Sequence, residues 1–167
     1  MRLITLIFLG FASASAAGES AIGEKTAFFG ITYLDSSLQG EMQGTDPAEA
    51  ARIEMLHDMV ADRFVAEGHE LVDLGPVQAD LERIVNPAKC YGCDTRMATT
   101  LGAELSLVGE VQKVSNLIIA MNLQLRDAKT GEMVRGGVVD IRANTDDAWR
   151  RGMRYLLDNR IFRQETP

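Results

Sequence analysis

"LSLVGEVQKVSNLIIAMNLQLRD", Leu105 to Asp127, decides the fold. In its second half Leu117, Ile119, Met121, Leu123 and Leu125 alternate with Ala120, Asn122, Gln124 and Arg126. A period of two, apolar on one side and polar on the other, predicts a half-buried antiparallel strand. The first half reads as a strand to Val114, and Ser115-Asn116 makes a tight turn between the two. Downstream, "DAKTGE" has turn chemistry around Gly131, and Met133, Val139 and Ile141 continue the pattern into a third strand. Connections this short join only antiparallel neighbours, so the three strands form a meander.

Upstream, "TAFFGITYL", Thr26 to Leu34, is aromatic and β-branched and predicts a buried first strand. The polar stretch "DSSLQGEMQGT" reads as a loop. Asp46-Pro47-Ala48-Glu49 then predicts a helix start, with Asp46 as cap, Pro47 in the first turn and Glu49 reaching back as in a capping box. Ile53, Leu56, Val60 and Phe64 share one face of that helix and Gly68 stops it. His69 to Gly75 reads as a second strand, and Pro76 opens a second helix with a stripe of Val77, Leu81, Ile84 and Val85 that ends at Pro87. Asp94 is placed to cap a short helix bearing Met97 and Leu101, stopped by Gly102. Asn144 to Asp147 starts a last helix with Trp149, Met153, Leu156, Leu157 and Ile161 inward.

The order β-α-β-α-α-β-β-β-α is that of an α/β (α+β) domain: a mixed sheet of about five strands with helices packed on it. The crossover helix between the first two strands makes that pair parallel.

"LGAELSLVGEVQKV" and "LRDAKTGEMVRGG", set after a first strand and an amphipathic helix, resemble the α/β domain shared by the TolB N-terminal region, the curli secretion protein CsgG and related cell-envelope proteins. The resemblance covers roughly residues 26 to 162 and rests on Leu101-Gly102-Ala103, Val108-Gly109-Glu110-Val111, and Asp127-Ala128 with Thr130-Gly131. Including the cysteine loop and the Trp149 helix, the chain is most similar to small secreted bacterial proteins of unknown function within that group. The resemblance implies action through protein contacts in the envelope, and an association with periplasmic alcohol-oxidation systems. The chain departs from CsgG in having no lipid-anchor cysteine in its leader and no pore-forming insertion, so a channel activity is not implied.

The two cysteines, Cys90 and Cys93, flank Tyr91 and Gly92. Covalent haem needs a histidine after the second cysteine, and Asp94 stands there. None of the four prolines is placed to act as the cis-proline of a thioredoxin-like site. A metal would need ligands beyond two thiolates, and the two histidines have ordinary readings: His57 at a helix edge, His69 in a loop. A structural disulfide leads, with a thiol-redox or metal-handling role as the alternative. Pinned by such a bridge, Tyr91 becomes a candidate contact residue, against the plain reading that it covers the sheet's end. Arg150, Arg151 and Arg154 give the last helix a basic outer surface, which is a solvated face by default and a dock for an acidic partner in the sharper reading.

"MRLITLIFLGFASASA" has a basic start, a short apolar run and small residues at Ala14 and Ala16, so residues 1–16 read as a signal peptide and 17–167 as a single domain. The apolar run is too short for a spanning helix, so no transmembrane segment follows signal removal, and the expected location is periplasmic, soluble and not a lipoprotein. With 24 acidic against 17 basic residues and a net charge of −7, nucleic acid is an unsuitable partner. Neither a G-x-S-x-G elbow, a Walker loop nor a His-Glu-x-x-His pair occurs. The expectation is a non-catalytic accessory protein, without cofactor or resident metal, that binds another periplasmic or envelope protein.

Overall fold

The computed structural model describes residues 23–44 and 46–163, so the expected leader over residues 1–16 lies outside the described residues. The elements are β1 (Lys25–Asp35), α1 (Leu38–Gln43), α2 (Pro47–Ala66), β2 (Glu70–Leu71), α3 (Gln78–Leu81), α4 (Cys93–Thr100), β3 (Leu105–Ser115), β4 (Ile118–Asp127), β5 (Met133–Ile141) and α5 (Asp146–Leu156). Short 3-10 turns precede α3 (Gly75–Val77) and α4 (Pro87–Lys89), and a π-helical turn, Leu157–Ile161, prolongs α5.

One mixed sheet has the order β2-β1-β3-β4-β5. β1 is parallel to both β2 and β3, and β3, β4 and β5 form the antiparallel meander. Ile119, Met121, Leu123 and Leu125 are buried as the alternation requires. Leu117 departs from it: the residue lies in the turn before β4 and is exposed.

One face of the sheet packs on α2 and α5 around Phe28, Leu107, Val111, Met121, Leu123, Leu56, Val60, Phe64, Trp149 and Met153. The other face buries Ala27, Phe29 and Val108 beneath Val77, Met97 and Ala98, so α4 and the turns before it form the second layer. Trp149 is fully buried, as its helix register predicts.

Several local expectations are corrected. The segment read as a loop contains α1, because the Ser37 hydroxyl accepts from the Gly40 amide and caps a short turn. β2 spans two residues rather than seven, since only Glu70 and Leu71 pair in register with β1 and the last bond to it is from the Val72 amide to the Thr26 carbonyl. α3 ends at Leu81, well short of Pro87, and Val85 is exposed instead of joining the stripe. The α4 helix starts one residue before Asp94, on Gly92, which adopts the left-handed conformation and offers no side-chain cap. Asp46 does cap α2, accepting from the Ala48 amide at 2.8 Å. Glu49 does not reach back to it, being wholly buried elsewhere.

β1 contains a bulge, with the β3 register shifting between Phe28 and Ile31. Gly30 sits there at φ 84°, a conformation costly for a residue bearing a Cβ. The extra residue moves Ile31 and Tyr33 onto the α2 face that Phe28 occupies, whereas unbroken alternation from Phe28 would place them on the α4 face.

Candidate functional site

The loop holding the cysteines is tied down from both sides. Asn86 accepts from the Ala88 amide at 2.9 Å and so starts the turn Pro87–Lys89. Its amide also donates to Glu110 on β3, whose other carboxylate oxygen lies 2.9 Å from Lys89 Nζ. Glu110 is buried, so the contacts from Asn86 and Lys89 compensate a carboxylate on the α4 face of the sheet.

Beyond this tether the sulfurs of Cys90 and Cys93 stand at disulfide-bonding distance, their Cα atoms 5.4 Å apart. Between them Tyr91 has φ 55° and Gly92 φ 83°, two consecutive left-handed residues. Glycine adopts that conformation freely, but tyrosine does so at a cost, and such strain persists where the surroundings hold it. The holding contacts are visible: the Arg96 guanidinium donates to the Tyr91 carbonyl at 3.3 Å, and the Thr95 hydroxyl to the Gly92 carbonyl at 3.1 Å. The Tyr91 side chain is 100% exposed. It does not cover the sheet's end.

Asp94, the second residue of α4, is buried, and its Oδ2 accepts from the Ser106 hydroxyl at 2.9 Å. Ser106 stands opposite Arg126 in the β3–β4 ladder. Together with Ala88, Lys89, Cys90, Tyr91 and Gly92, Asp94 and Arg126 line a pocket of about 360 Å³ between the loop and the sheet.

The basic residues of the last helix lie elsewhere. Arg150, Arg151 and Arg154 are exposed on α5, which packs on the opposite face of the sheet, and Arg151 pairs with Asp147 one turn away. The structure therefore does not unite them with Tyr91. The two histidines also sit on the α2 side: the His57 ring stacks on Phe28 at 4.6 Å, and His69 Nδ1 lies 3.0 Å from Thr26 Oγ1 beside Phe64. Cys93 packs with the other layer. Among the described residues no three His, Cys, Asp or Glu side chains gather as a metal-holding group.

A second polar centre lies where β1 and β3 end, and the sequence reading did not single it out. Glu49 and Lys113 are both buried, with Lys113 Nζ 2.6 Å from Glu49 Oε1 and 3.3 Å from Asp35 Oδ2. Tyr33 donates its hydroxyl to Glu49 Oε2, and Asn144 Nδ2 donates to Oε1 at 2.6 Å. Asn144 Oδ1 in turn accepts from Trp149 Nε1 at 3.0 Å. Burial alone would lower the Lys113 ammonium pKa, but its bonds to Glu49 and Asp35 outweigh that and raise it. Burial, the Glu49 contact and the nearby Asp35 together push the Tyr33 phenol well above its usual value.

For Asp35, burial acts upward, yet hydrogen bonds from the Ser37 hydroxyl and amide, then Lys113, hold the carboxyl below its usual value. A carboxyl depressed in the folded state stabilises fully above its unfolded value and loses that contribution as pH falls through the folded one. Stability is therefore expected to fall on acidification below about pH 4, where carboxyls ordinarily titrate. The slope should be shallower in Asp35→Asn, as denaturant midpoints at several pH values would show. Equal acid slopes for parent and variant would contradict it.

The fold has distant structural counterparts. The chain is similar to the LpoB C-terminal domain from Salmonella enterica, with 20% identity and a TM-score of 0.47 over 72% of this chain and 84% of that one. Lipoprotein GNA1162 from Neisseria meningitidis gives 13% identity and a TM-score of 0.48 over 73% and 82%. PelC from Paraburkholderia phytofirmans, crystallised as a dodecamer, gives 14% and 0.44 over 82% and 86%. No protein of curated function matches the chain. A family match spans residues 24–161, from the residue before β1 to the end of the helical segment after α5, and the chain accordingly belongs to the family described as "Protein of unknown function (DUF2380)".

Proposed function

We propose that this protein is a secreted, periplasmic accessory protein that binds another envelope protein through the Cys90–Cys93 loop, acting by contact and not by catalysis. The observation that carries the reading is Tyr91: wholly exposed, left-handed, and held by Arg96 from below. With its backbone held in this way, the loop presents the ring to solvent, where it can bury a large area, which suits an interface anchor. The bridge between Cys90 and Cys93 would serve to hold that presentation. Export rests on the leader-like residues 1–16, which also make an oxidising compartment the proper setting for the bridge. A TolB/CsgG-like ancestry and a part in a periplasmic oxidation system rest on the sequence resemblance alone.

Closing so short a ring removes little chain entropy, so Cys90→Ser/Cys93→Ser should fold and lose only about 2 kcal/mol or less in denaturant melts. The larger effect falls on binding. With a photo-crosslinking phenylalanine at position 91, the protein should give one discrete adduct in intact cells, and the double-serine background should weaken it. The same probe at Val65, exposed on α2 on the opposite side of the sheet, should give none. Equal adducts from both positions, or none from 91, would refute the loop as a contact. Thiol titration with elemental analysis addresses the alternative: a reduced pair holding stoichiometric metal would replace the contact reading with metal handling.

A further inference from the structure

Arg126 lies in the floor of the loop pocket, and its Nε is a buried side-chain nitrogen without a hydrogen-bond partner. It is the one such buried side-chain atom among the described residues. The rest of the buried polar inventory is paired, down to Lys113, Glu49 and Glu110. A buried donor left unpaired costs free energy, which an incoming acceptor would recover. The guanidinium is also partly fixed, since Nη2 donates to Gln124 Oε1 at 2.7 Å. The β4–β5 register shifts between Leu125 and Arg126, because β5 carries an extra residue, Val134, opposite this part of β4.

The neighbours narrow the acceptor's chemistry. A guanidinium at a pocket wall whose Nε has no hydrogen-bond partner favours a carboxylate or a phosphate oxygen, which a small shift of the side chain would let it meet. Lys89 is balanced by Glu110. Asp94, buried in the same pocket, adds a negative charge that a dianionic phosphate would meet at close range. A singly charged carboxylate is repelled less. The volume, about 360 Å³, admits the end of a peptide or one side chain but no folded element.

We infer that Arg126, roofed by the Cys90–Cys93 loop, binds a carboxylate presented by a peptide segment of the partner protein. This rests on the proposed contact role of the loop and gives the partner's chemistry: Tyr91 supplies the apolar contact at the rim, and Arg126 the charged one within. The carboxylate can belong to a chain terminus or to an acidic side chain, and both are tested.

The experiment follows the Arg126 Nε–Hε resonance and the amides of residues 88–94 in isotope-labelled oxidised protein. The probes are Ac-Ala-Ala-Ala-OH, Ac-Ala-Glu-Ala-NH2 and Ac-Ala-Ala-Ala-NH2, with inorganic phosphate as a fourth. Either carboxylate peptide should move the Arg126 signal saturably, the stronger naming the source, while the uncharged peptide should not. Arg126→Gln should weaken binding about 10- to 100-fold, as expected for loss of a charge-assisted hydrogen bond. Arg126→Lys should retain part of it. Silence of the Arg126 signal towards both carboxylates, equal response to the uncharged peptide, or preference for phosphate would overturn the inference. The readout on the parent does not depend on how the variants fold. Because it is made on purified protein, it can fail while crosslinking from position 91 succeeds, which would remove the carboxylate site and leave the contact surface standing.

Discussion

Trp149→Ala should cost about 3–5 kcal/mol of stability, the range for deleting a large buried aromatic. The indole has no exposed surface and lies between the sheet and α2 within the main core. Its ring meets Tyr33 at 6.1 Å between centroids and the Arg52 guanidinium at 5.9 Å, while Nε1 donates to Asn144. Truncation leaves a void bounded by two secondary-structure layers that cannot both move in to fill it. Asn144 Oδ1 still accepts from Arg52 at 3.1 Å, so the cost is chiefly the cavity and not an orphaned acceptor. Trp149→Phe, which refills much of the volume, should recover more than half of the loss. Since Trp149 is the only tryptophan, the melts must be followed by circular dichroism. A Trp149→Ala midpoint within about 1 kcal/mol of the parent would place the residue outside the core, against the geometry.

What could be read in the sequence follows from parity. In β3 the residues facing α2 are Leu105, Leu107, Val111 and Lys113, and those facing α4 include Ser106, Val108 and Glu110. Alternation through β4 therefore pointed to the meander, because a one-residue slip there would turn Ile119, Met121, Leu123 and Leu125 out of the core, whereas β3 is buried on both faces. The same count places Lys113 inward and Glu110 under α4. A charge at an inward position is the signal by which both buried carboxylate centres could have been found. Their partners could not be inferred this way. Glu49 is distant in sequence and had a sufficient local explanation as a capping residue, and Asn86 and Lys89, beside the proline expected to end the second helix, gave no sign of a partner on β3.

The bulge at Gly30 was illegible for a different reason. "FFGIT" satisfies strand propensity with or without an extra residue, and only the β3 register shows the shift. Its consequence is considerable, since it carries Tyr33 and Asp35 to the side where Glu49 and Lys113 await them. Arg126 appeared as one of three polar residues on the polar face of β4, indistinguishable from Asn122 and Gln124. What sets it apart is the loop folded over it, a tertiary relation.

The largest single-substitution effect besides Trp149 is expected at the Glu49–Lys113 pair, and its pattern tells a filled structural centre from a binding site. The cluster occupies the carboxyl ends of parallel strands β1 and β3, where open α/β sheets commonly bind ligands. Here the position is already taken: Glu49 is bonded by Lys113, Tyr33 and Asn144, and Asp35 by Ser37 and Lys113. Removing Lys113 leaves Glu49 without its cation, and removing Glu49 leaves the buried Lys113 only the longer contact to Asp35, so Glu49→Ala and Lys113→Met should each cost about 3–5 kcal/mol. Their pH behaviour should differ. In Lys113→Met two carboxylates, Glu49 and Asp35, face each other without a cation, and taking up a proton relieves them. That variant's deficit should shrink as pH falls through the carboxylate range, whereas the Glu49→Ala deficit, an ammonium left with Asp35 as its one carboxylate, should not shrink there. The double variant Glu49→Leu/Lys113→Met should fall well short of the summed losses, because it removes both charges together. Denaturant midpoints for the four proteins at pH 4 and pH 7 complete the cycle. Additive losses with identical pH profiles would show that the two side chains act independently, and would remove the pair from the list of what holds α2 onto the sheet.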